Sequence, residues 1–199
     1  MGWVLLAIVL ILAILVGWAI GMFNRLVRLR NQVNNSWSQI DVQLQRRYDL
    51  IPNLVETVKG YMQYEKSTLE AVIEARNRAQ SARELLEKKG GPTAKGASLE
   101  ELIGAETSLS GALGKIFALA ERYPELRAVE TMQRLQEQLA STENKVAFAR
   151  QAYNDTAMLY NMTQQQFPTL LVASLFGHHP SDLYEVTEEK ARKGIKVQF

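Results

Sequence analysis

The sequence predicts an all-α protein in which a single N-terminal transmembrane helix continues into an antiparallel bundle of about four long helices. Three observations lead to this fold class. Residues 3–23 contain no charged side chain. The rest of the 199-residue chain is rich in Ala, Leu, Glu, Arg and Gln and has few Gly or Pro outside short stretches. Its apolar residues recur every three or four positions, which is the spacing of one helix face.

This pattern divides the chain into a transmembrane anchor over residues 1–24, a cytoplasmic helical bundle over residues 25–180 and a loose, charged C-terminal tail over residues 181–199. A helix needs about 20 apolar residues to cross the ~30 Å hydrocarbon core of a bilayer. The first segment supplies them. A cleaved signal peptide would have a basic start and a small-residue cleavage site. The sequence shows neither, so we expect an uncleaved anchor.

Three arginines, Arg25, Arg28 and Arg30, follow the span at once, and no acidic residue precedes Asp41. Basic flanks of a membrane helix stay on the cytoplasmic side, so the N-terminus is expected outside and the body inside. The same arginines can bind anionic lipid headgroups.

Within the span, Ala13, Gly17 and Gly21 recur every four residues and share one helix face. Such small-residue faces let two membrane helices approach closely, and this one predicts association between anchors. The alternative is that glycine is simply common in membrane helices.

The first soluble helix is predicted to continue out of the membrane without a break. Pro52 then predicts a tight turn or sharp kink over residues 49–52, with Asp49 as an N-cap. A second helix follows to about Lys88. The apolar stripes of the two helices comprise Leu26, Val33, Trp37, Ile40 and Leu44 in the first, and Leu54, Val58, Tyr61, Leu69, Val72, Ala79 and Leu86 in the second.

Residues 88–97 read KKGGPTAKGA and predict a loop. Ser98 and Glu101 have the spacing of a capping box that opens a third helix over residues 99–121. In that helix Gly104, Ser108 and Gly111 fall on one face. This predicts close approach by a helix of the same chain or of a neighbour. The alternative is a frayed or bent helix.

Residues 124–166 contain no Gly or Pro after Pro124 and predict one helix more than ~60 Å long. Its core seam comprises Leu135, Leu139, Val146, Tyr153, Ala157, Tyr160 and Phe167. Only long helices can cover such a seam, so the first two helices are expected to pair along it. Residues 169–176 are a short apolar segment expected to pack over one end of the bundle.

The residues that carry most enzymatic chemistry are scarce. There is no Cys, and the two histidines, His178 and His179, are adjacent and lack the Glu-x-x-His spacing of di-iron bundles. No phosphate-binding loop or nucleophile motif occurs. We therefore predict a protein that is not an enzyme and has no cofactor or metal. The net charge of +2, with mixed signs, gives no indication of nucleic-acid binding.

A polar block on the first soluble helix includes Gln39, Gln43, Arg46 and Arg47. Arginine and glutamine side chains suit hydrogen bonds between helices. This block is a candidate contact with another subunit or partner, as is the row Gly104, Ser108 and Gly111. Alternatively, the block faces a similar polar row within one bundle, formed by Asn154, Asn161, Gln164 and Gln165.

The run WSQIDVQLQRRYDLIPNLVETVKGYMQYE, residues 37–65, closely resembles the signature of the LemA family. The similarity continues through TLEAVIEARNRA, through QAYNDTAMLYNMTQQQFPTLLVASLFG and to the final IKVQF. One departure is His178, where the family usually has an aromatic residue. The resemblance implies a bacterial membrane protein with an outside N-terminus and a helical cytoplasmic body. It implies no enzymatic activity, cofactor or catalytic residue.

These observations suggest a non-enzymatic scaffold, anchored in the bacterial cell membrane, whose copies associate through membrane helix and bundle and so organise or remodel the membrane. Lipid and further copies of the chain are its expected partners. The alternative is an adaptor that presents its bundle to a membrane protease, transporter or secretion machine.

Overall fold

The structure is a computed structural model that describes residues 1–62, 64–94 and 98–185. In these ranges it contains helices and no strand, which confirms the all-α fold class. The six helices are α1 (Gly2–Lys59), α2 (Lys66–Lys88), α3 (Glu100–Ala120), α4 (Pro124–Arg127), α5 (Glu130–Gln165) and α6 (Thr169–Leu175).

Helix α1 joins the apolar N-terminal span to the bundle without a break. It contains 58 residues, and at about 1.5 Å per residue it is roughly 85 Å long. Its most apolar window has a mean hydropathy of 3.0 and no buried residue, so by length and composition the helix can cross a membrane. Burial begins at Leu26, which is fully covered by the bundle.

Four long helices, α1, α2, α3 and α5, form the bundle. Antiparallel packing of α1 on α5 brings the Trp37 ring edge-on to Tyr153, with ring centroids 5.7 Å apart. Antiparallel packing of α1 on α2 pairs Asp41 with Arg83, whose Nη2 donates to Asp41 Oδ2 at 3.0 Å. Helix α2 packs mainly on α3. The prediction that both early helices cover the long helix is therefore right for α1 and wrong for α2.

Most of the predicted core residues are buried, including the whole stripe of α1 from Leu26 to Leu44. Two are not. Tyr61 is 43% exposed, because it follows the end of α1, and Phe167 is 81% exposed, because it follows the end of α5.

The predicted tight turn at Pro52 is wrong, as is the N-cap at Asp49, whereas a kink within the continuous helix stays a prediction. Helix α1 runs through Pro52 to Lys59. Proline has no N–H and leaves the carbonyl four residues earlier, that of Tyr48, without its helical donor. Arg76 of α2 supplies one instead, with its Nε 3.3 Å from the Tyr48 oxygen. Asp49 accepts a bond from Gln45 Nε2 at 2.7 Å, inside the same helix.

The predicted single helix over residues 124–166 is divided in two. Val129, with φ −71° and ψ 118°, is extended and separates α4 from α5. The Arg127 carbonyl, left without a helical partner, accepts a bond from Gln133 Nε2 at 3.1 Å. The short turn places Leu126 in the core, fully buried. Helix α5 has 36 residues, so its length is about 54 Å.

The loop after α2 begins where the sequence predicts it. Gly90 and Gly91 adopt positive φ angles of 95° and 79°, and the Gly91 N–H bonds to the Leu86 carbonyl at 3.0 Å. The predicted capping box is wrong: α3 begins at Glu100, whose N–H bonds to Ser98 Oγ at 3.3 Å. Residues 95–97 of the predicted loop lie outside the described ranges.

The first five residues of the predicted loose tail, 181–185, instead pack against α5. Asn161 accepts from the Ser181 N–H at 2.9 Å and donates to the Ser181 carbonyl at 2.8 Å. Asn154 bonds in the same way to the N–H and carbonyl of Tyr184, at 2.7 and 3.1 Å. These amides therefore hold the chain after α6 rather than the polar block of α1. Residues 186–199 lie outside the described ranges.

The compensation at Pro52 predicts a coupling between two helices. Replacing Arg76 with Met should lower the free energy of unfolding by about 1 kcal/mol, because the Tyr48 carbonyl loses its donor. In a Pro52→Ala background the new N–H fills that role, and the same replacement should cost much less. Urea unfolding of the four proteins, followed by circular dichroism in detergent, measures this. An equal loss of unfolding free energy in the two backgrounds would show that Arg76 does not compensate for Pro52.

Candidate functional site

An ion pair lies in the interior of the bundle, where α1 meets α3. Glu106 is only 1% exposed and Arg47 only 3%. Arg47 Nη1 lies 3.1 Å from Glu106 Oε2. The heptad-like spacing of Leu102, Leu109 and Leu113 turns this face of α3 inward, so Glu106 enters the core with them.

Further groups complete the hydrogen bonding of this buried pair. The Tyr48 hydroxyl donates to Glu106 Oε1. Arg47 Nη2 donates to Ser110 Oγ at 2.8 Å, and Arg47 Nη1 lies 2.9 Å from Glu143 Oε2 on α5. Because Glu143 is half exposed, the cluster connects three helices and reaches the surface along α5.

Burial controls the proton affinities in this cluster. Loss of hydration raises the pKa of the Glu106 carboxyl above its usual value, although Arg47 and the Tyr48 hydroxyl both favour the ionised form. Burial and the neighbouring Glu106 raise the pKa of the Tyr48 hydroxyl, which therefore stays protonated and can donate. Burial also raises the pKa of nearby Tyr184 to about 12. The arrangement is suited to holding helices in register.

Arg47, predicted as a contact with another subunit, thus uses its donors inside the chain. Its neighbours in the predicted polar block lie elsewhere. Arg46 and Gln39 are exposed, and Gln43 is half-buried. The block is therefore split between an interior residue and surface residues.

A surface groove between α1 and α5, called here the α1/α5 groove, contains two of these predicted residues. It is lined by Ser38, Gln39, Val42, Gln43, Lys145, Phe148, Ala149 and Ala152. Val42 is 60% exposed and Phe148 73%. The Gln43 Oε1 atom is buried and has no hydrogen-bond partner among the described residues. Two large apolar side chains and an unsatisfied acceptor thus occur together.

The predicted small-residue row of α3 lies on a second surface groove, called here the α2/α3 groove. Its lining includes Glu74, Arg78, Ala82, Leu85 and Lys88 of α2 and Glu101, Gly104, Ser108 and Gly111 of α3. A Cβ added at Gly104 or Gly111 would meet nothing within 4 Å. The prediction of close approach by a helix of the same chain is therefore wrong. Approach by a neighbour stays a prediction. Ser108 bonds to the Gly104 carbonyl at 2.9 Å, within its own helix.

The predicted membrane-helix residues also face outward. Ala13, Gly17 and Gly21 are exposed, and a Cβ at either glycine would meet nothing within 4 Å. Association through this face stays a prediction.

The three arginines after the span differ in their surroundings. Arg25 and Arg28 are exposed. Arg30 turns toward the bundle, where its Nε and Nη2 lie 3.4 Å from the side chain and carbonyl of Thr93. Thr93 in turn donates to Asn34 Oδ1 at 2.9 Å. Arg30 therefore contacts the loop after α2 and is half-buried, and lipid binding by all three arginines stays a prediction.

Sequence reasoning missed Glu106, Val42 and Phe148. Glu106 had a usable signal, because it lies three to four residues from Leu102 and Leu109 on an otherwise apolar stripe. Val42 and Phe148 had none, since their proximity depends on the pairing of α1 with α5.

An exposed apolar span that continues into a helical bundle fits a membrane-associated protein, and the described residues contain one such span. The sequence profile of the LemA family matches residues 36–199. The chain belongs to the LemA family.

Three relatives illustrate its similarity to characterised sequences. Magnetosome protein MamQ 1 of Paramagnetospirillum magneticum is 25% identical over 182 residues, which is 82% of this chain and 64% of the relative. Magnetosome protein MamQ of Magnetospirillum gryphiswaldense is 27% identical over 167 residues, with 78% and 61% covered. Protein LemA of Metamycoplasma hominis is 26% identical over 167 residues, with 84% and 68% covered. The chain thus spans less than two thirds of the MamQ proteins.

The buried ion pair predicts strong non-additivity. Arg47→Met alone should lower the free energy of unfolding by about 3–5 kcal/mol, because it leaves the Glu106 charge buried without its cation. The double variant Arg47→Met, Glu106→Leu should lose much less than the sum of the two single changes. Urea unfolding followed by Trp37 fluorescence, in a Trp3→Phe, Trp18→Phe background, measures the four proteins. If the free-energy losses of the two single variants add up to that of the double variant, Arg47 and Glu106 do not act as an ion pair.

The raised pKa of Glu106 predicts a pH dependence with a definite sign. The folded state binds the Glu106 proton more tightly than the unfolded chain, whose carboxyl has the ordinary value of 4.5. The tighter binding of this proton therefore stabilises the folded state below pH 4.5. That stabilisation is lost as the pH rises through the folded-state pKa of Glu106. The difference in unfolding free energy between the wild type and Glu106→Gln should shrink over this range. A difference that grows with pH would mean that the attraction of Arg47 outweighs burial.

Proposed function

We propose that this protein is a non-enzymatic, membrane-anchored scaffold whose bundles associate side by side and thereby organise or remodel the membrane. The observation that carries the proposal is the continuity of α1. One helix of 58 residues contains both the apolar span and the buried stripe of the bundle. A contact between two bundles is therefore transmitted to the angle between two membrane helices.

The α1/α5 groove supports association between copies. Exposed Val42 and Phe148 flank the unsatisfied Gln43 oxygen, and burying such a set against a partner is favourable when the partner supplies a donor. The α2/α3 groove, with Gly104 and Gly111, is lined by the other helix pair and offers a close-approach surface.

Membrane anchoring limits the geometry of such an assembly. Copies inserted in a flat bilayer with the same orientation can be related only by rotation about the membrane normal and translation in the membrane plane. In a curved bilayer, neighbouring copies can also be tilted relative to each other. If the α1/α5 groove of one copy meets the α2/α3 groove of the next, the contact is heterologous and repeats as a ring or an open array. Tilted neighbours would then bend the bilayer between their anchors.

We place the bundle in the cytoplasm of a bacterial cell and the N-terminus outside. Arg25 and Arg28, exposed directly after the span, support this orientation through the preference of basic flanks for the cytoplasmic side. The names of the relatives, magnetosome protein MamQ and protein LemA, state no reaction, in keeping with a role other than catalysis.

A second candidate function is an adaptor that presents its bundle to a membrane protease, transporter or secretion machine. The α2/α3 groove favours it, because this groove carries charges of both signs, including Glu74, Arg78, Lys88 and Glu101. Such polar surfaces are typical of transient protein–protein contacts. The two candidates differ in whether a purified full-length chain associates with itself.

Negative charges introduced into the α1/α5 groove should dissociate the assembly. The variant Val42→Glu, Phe148→Glu should reduce the particle mass of the full-length protein several-fold, because two desolvated carboxylates oppose the contact. Light scattering with gently solubilised protein measures the mass. Ile73→Glu, on the exposed side of α2, is the matched control and should leave the mass unchanged.

One outcome would decide against the scaffold, and a second would decide only against the α1/α5 groove as its contact. A wild-type protein that is monomeric in both detergent and lipid would remove the basis for it. An unchanged mass in the double variant would move the contact away from the α1/α5 groove. A chain lacking residues 1–23, measured alongside, separates association by the bundle from association by the membrane helix.

A further inference from the structure

Helix α6 leaves most of its apolar side chains uncovered. It buries only Val172 and Ala173 against the bundle. Leu171 and Leu175 are 62% and 78% exposed, and their spacing of four places them along one stripe. Phe167, two residues before the helix, is 81% exposed. Two further exposed apolar residues, Leu170 and Phe176, lie beside this stripe. In water such a surface is unfavourable, and in a membrane protein it indicates a contact.

The place of α6 along α1 indicates what that contact is. Thr169 Oγ1 lies 3.6 Å from Met22 Sδ, and the rings of Phe176 and Phe23 have centroids 4.7 Å apart. Met22 and Phe23 are the last residues of the uncharged run and precede Arg25. Helix α6 therefore docks on the membrane side of the basic flank, at the end of the span that faces lipid.

The direction of α6 follows from the same two contacts. Its first residue and the residue after its last one touch neighbouring residues of α1, which are only ~1.5 Å apart along that helix. A seven-residue helix parallel to α1 would contact positions about seven apart. Helix α6 thus runs across α1, and with α1 spanning the bilayer it lies close to the plane of the membrane surface.

The segment after α6 is fixed to the bundle and holds this placement. His178 Nδ1 lies 2.9 Å from the Tyr160 hydroxyl of α5, and its ring contacts Phe23 edge-on. The His178 N–H bonds to the Ala173 carbonyl at 2.9 Å. Helix α6 is therefore attached to both α1 and α5 and cannot leave the membrane end of the bundle without breaking these contacts.

We propose that α6, with Phe167 and Phe176, is a second membrane contact, and that its partner is the boundary between headgroups and acyl chains in the leaflet that α1 leaves. Short amphipathic segments bind this boundary by burying their apolar face. The surface is continuous with the lipid-facing span, and exposed Arg25 and Arg28 follow Phe23 on α1, where they can attract anionic headgroups. This continuity selects the bilayer over a second copy as the occupant.

A second membrane contact would restrict motions of the bundle that a single membrane helix leaves free. A single span allows the bundle to rotate about the helix axis and to tilt, whereas an attached segment in the interface restricts both motions. It also places apolar volume in one leaflet only. The inference rests on α1 spanning a bilayer, and it holds whether or not copies associate.

Site-directed labelling tests the contact, since the chain has no native cysteine. The full-length variants Leu171→Cys and Leu175→Cys are labelled with a nitroxide and reconstituted in vesicles of phosphatidylethanolamine and phosphatidylglycerol. Ile11→Cys, within the span, is the lipid control. Ile73→Cys is the water control, because its side chain is 42% exposed and lines neither groove. It lies three residues before Arg76, which bonds to Tyr48 about 38 Å beyond Phe23 along α1. Electron paramagnetic resonance compares the access of oxygen and of a water-soluble nickel complex.

The ratio of oxygen access to nickel access should be several-fold higher at residues 171 and 175 than at residue 73. A ratio equal to that at residue 73 would overturn the proposal. Protection from both reagents would also overturn it, because a protein surface such as a second copy would then cover α6. A water-like ratio at residue 11 would refute the span itself, and a lipid-like ratio there separates failure of α6 from failure of the anchor.

Discussion

Helix α1 belongs both to the apolar span and to the core of the bundle, and every other long helix is placed relative to it. Its inward face packs along α5, and its contacts with α2 include the Asp41–Arg83 pair. No loop separates span from bundle, so tilt and rotation pass between them. The helix also continues through Pro52, where a helix commonly breaks and where Arg76 supplies the missing donor to the Tyr48 carbonyl. The bundle thus stabilises the helix that anchors it.

The buried charges give the bundle a defined register. Moving Arg47 and Glu106 out of water is costly, and an apolar pair of the same volume often stabilises a core equally well. We interpret the buried charges as a feature that selects one alignment of the helices over the others. Arg47 can satisfy Glu106, Ser110 and Glu143 together only when α1, α3 and α5 have one alignment. Apolar seams of similar residues would tolerate sliding by a turn, whereas a misplaced charge would be left without a partner.

The sequence predicts features of single helices well and features of helix pairs poorly. The span and the stripe from Leu26 to Leu44 follow from composition and periodicity, which act within one helix. The course of α1 through Pro52 could not be predicted, because the compensating donor comes from another helix. The interior place of Arg47 depends equally on Glu106, which is 59 positions away. The α1/α5 groove forms between two helices that are distant in sequence and meet only after folding. No residue pattern within either helix predicts it.

The central claim is that contacts between bundles reach the bilayer through α1. Cryo-electron tomography of the full-length protein in lipid vesicles tests this most directly, because it images protein and membrane together. The account predicts bundles in regular neighbouring positions, with the bilayer beneath them bent by a repeating angle. Isolated bundles scattered over an undisturbed bilayer, at protein densities that bring copies into contact, would contradict it.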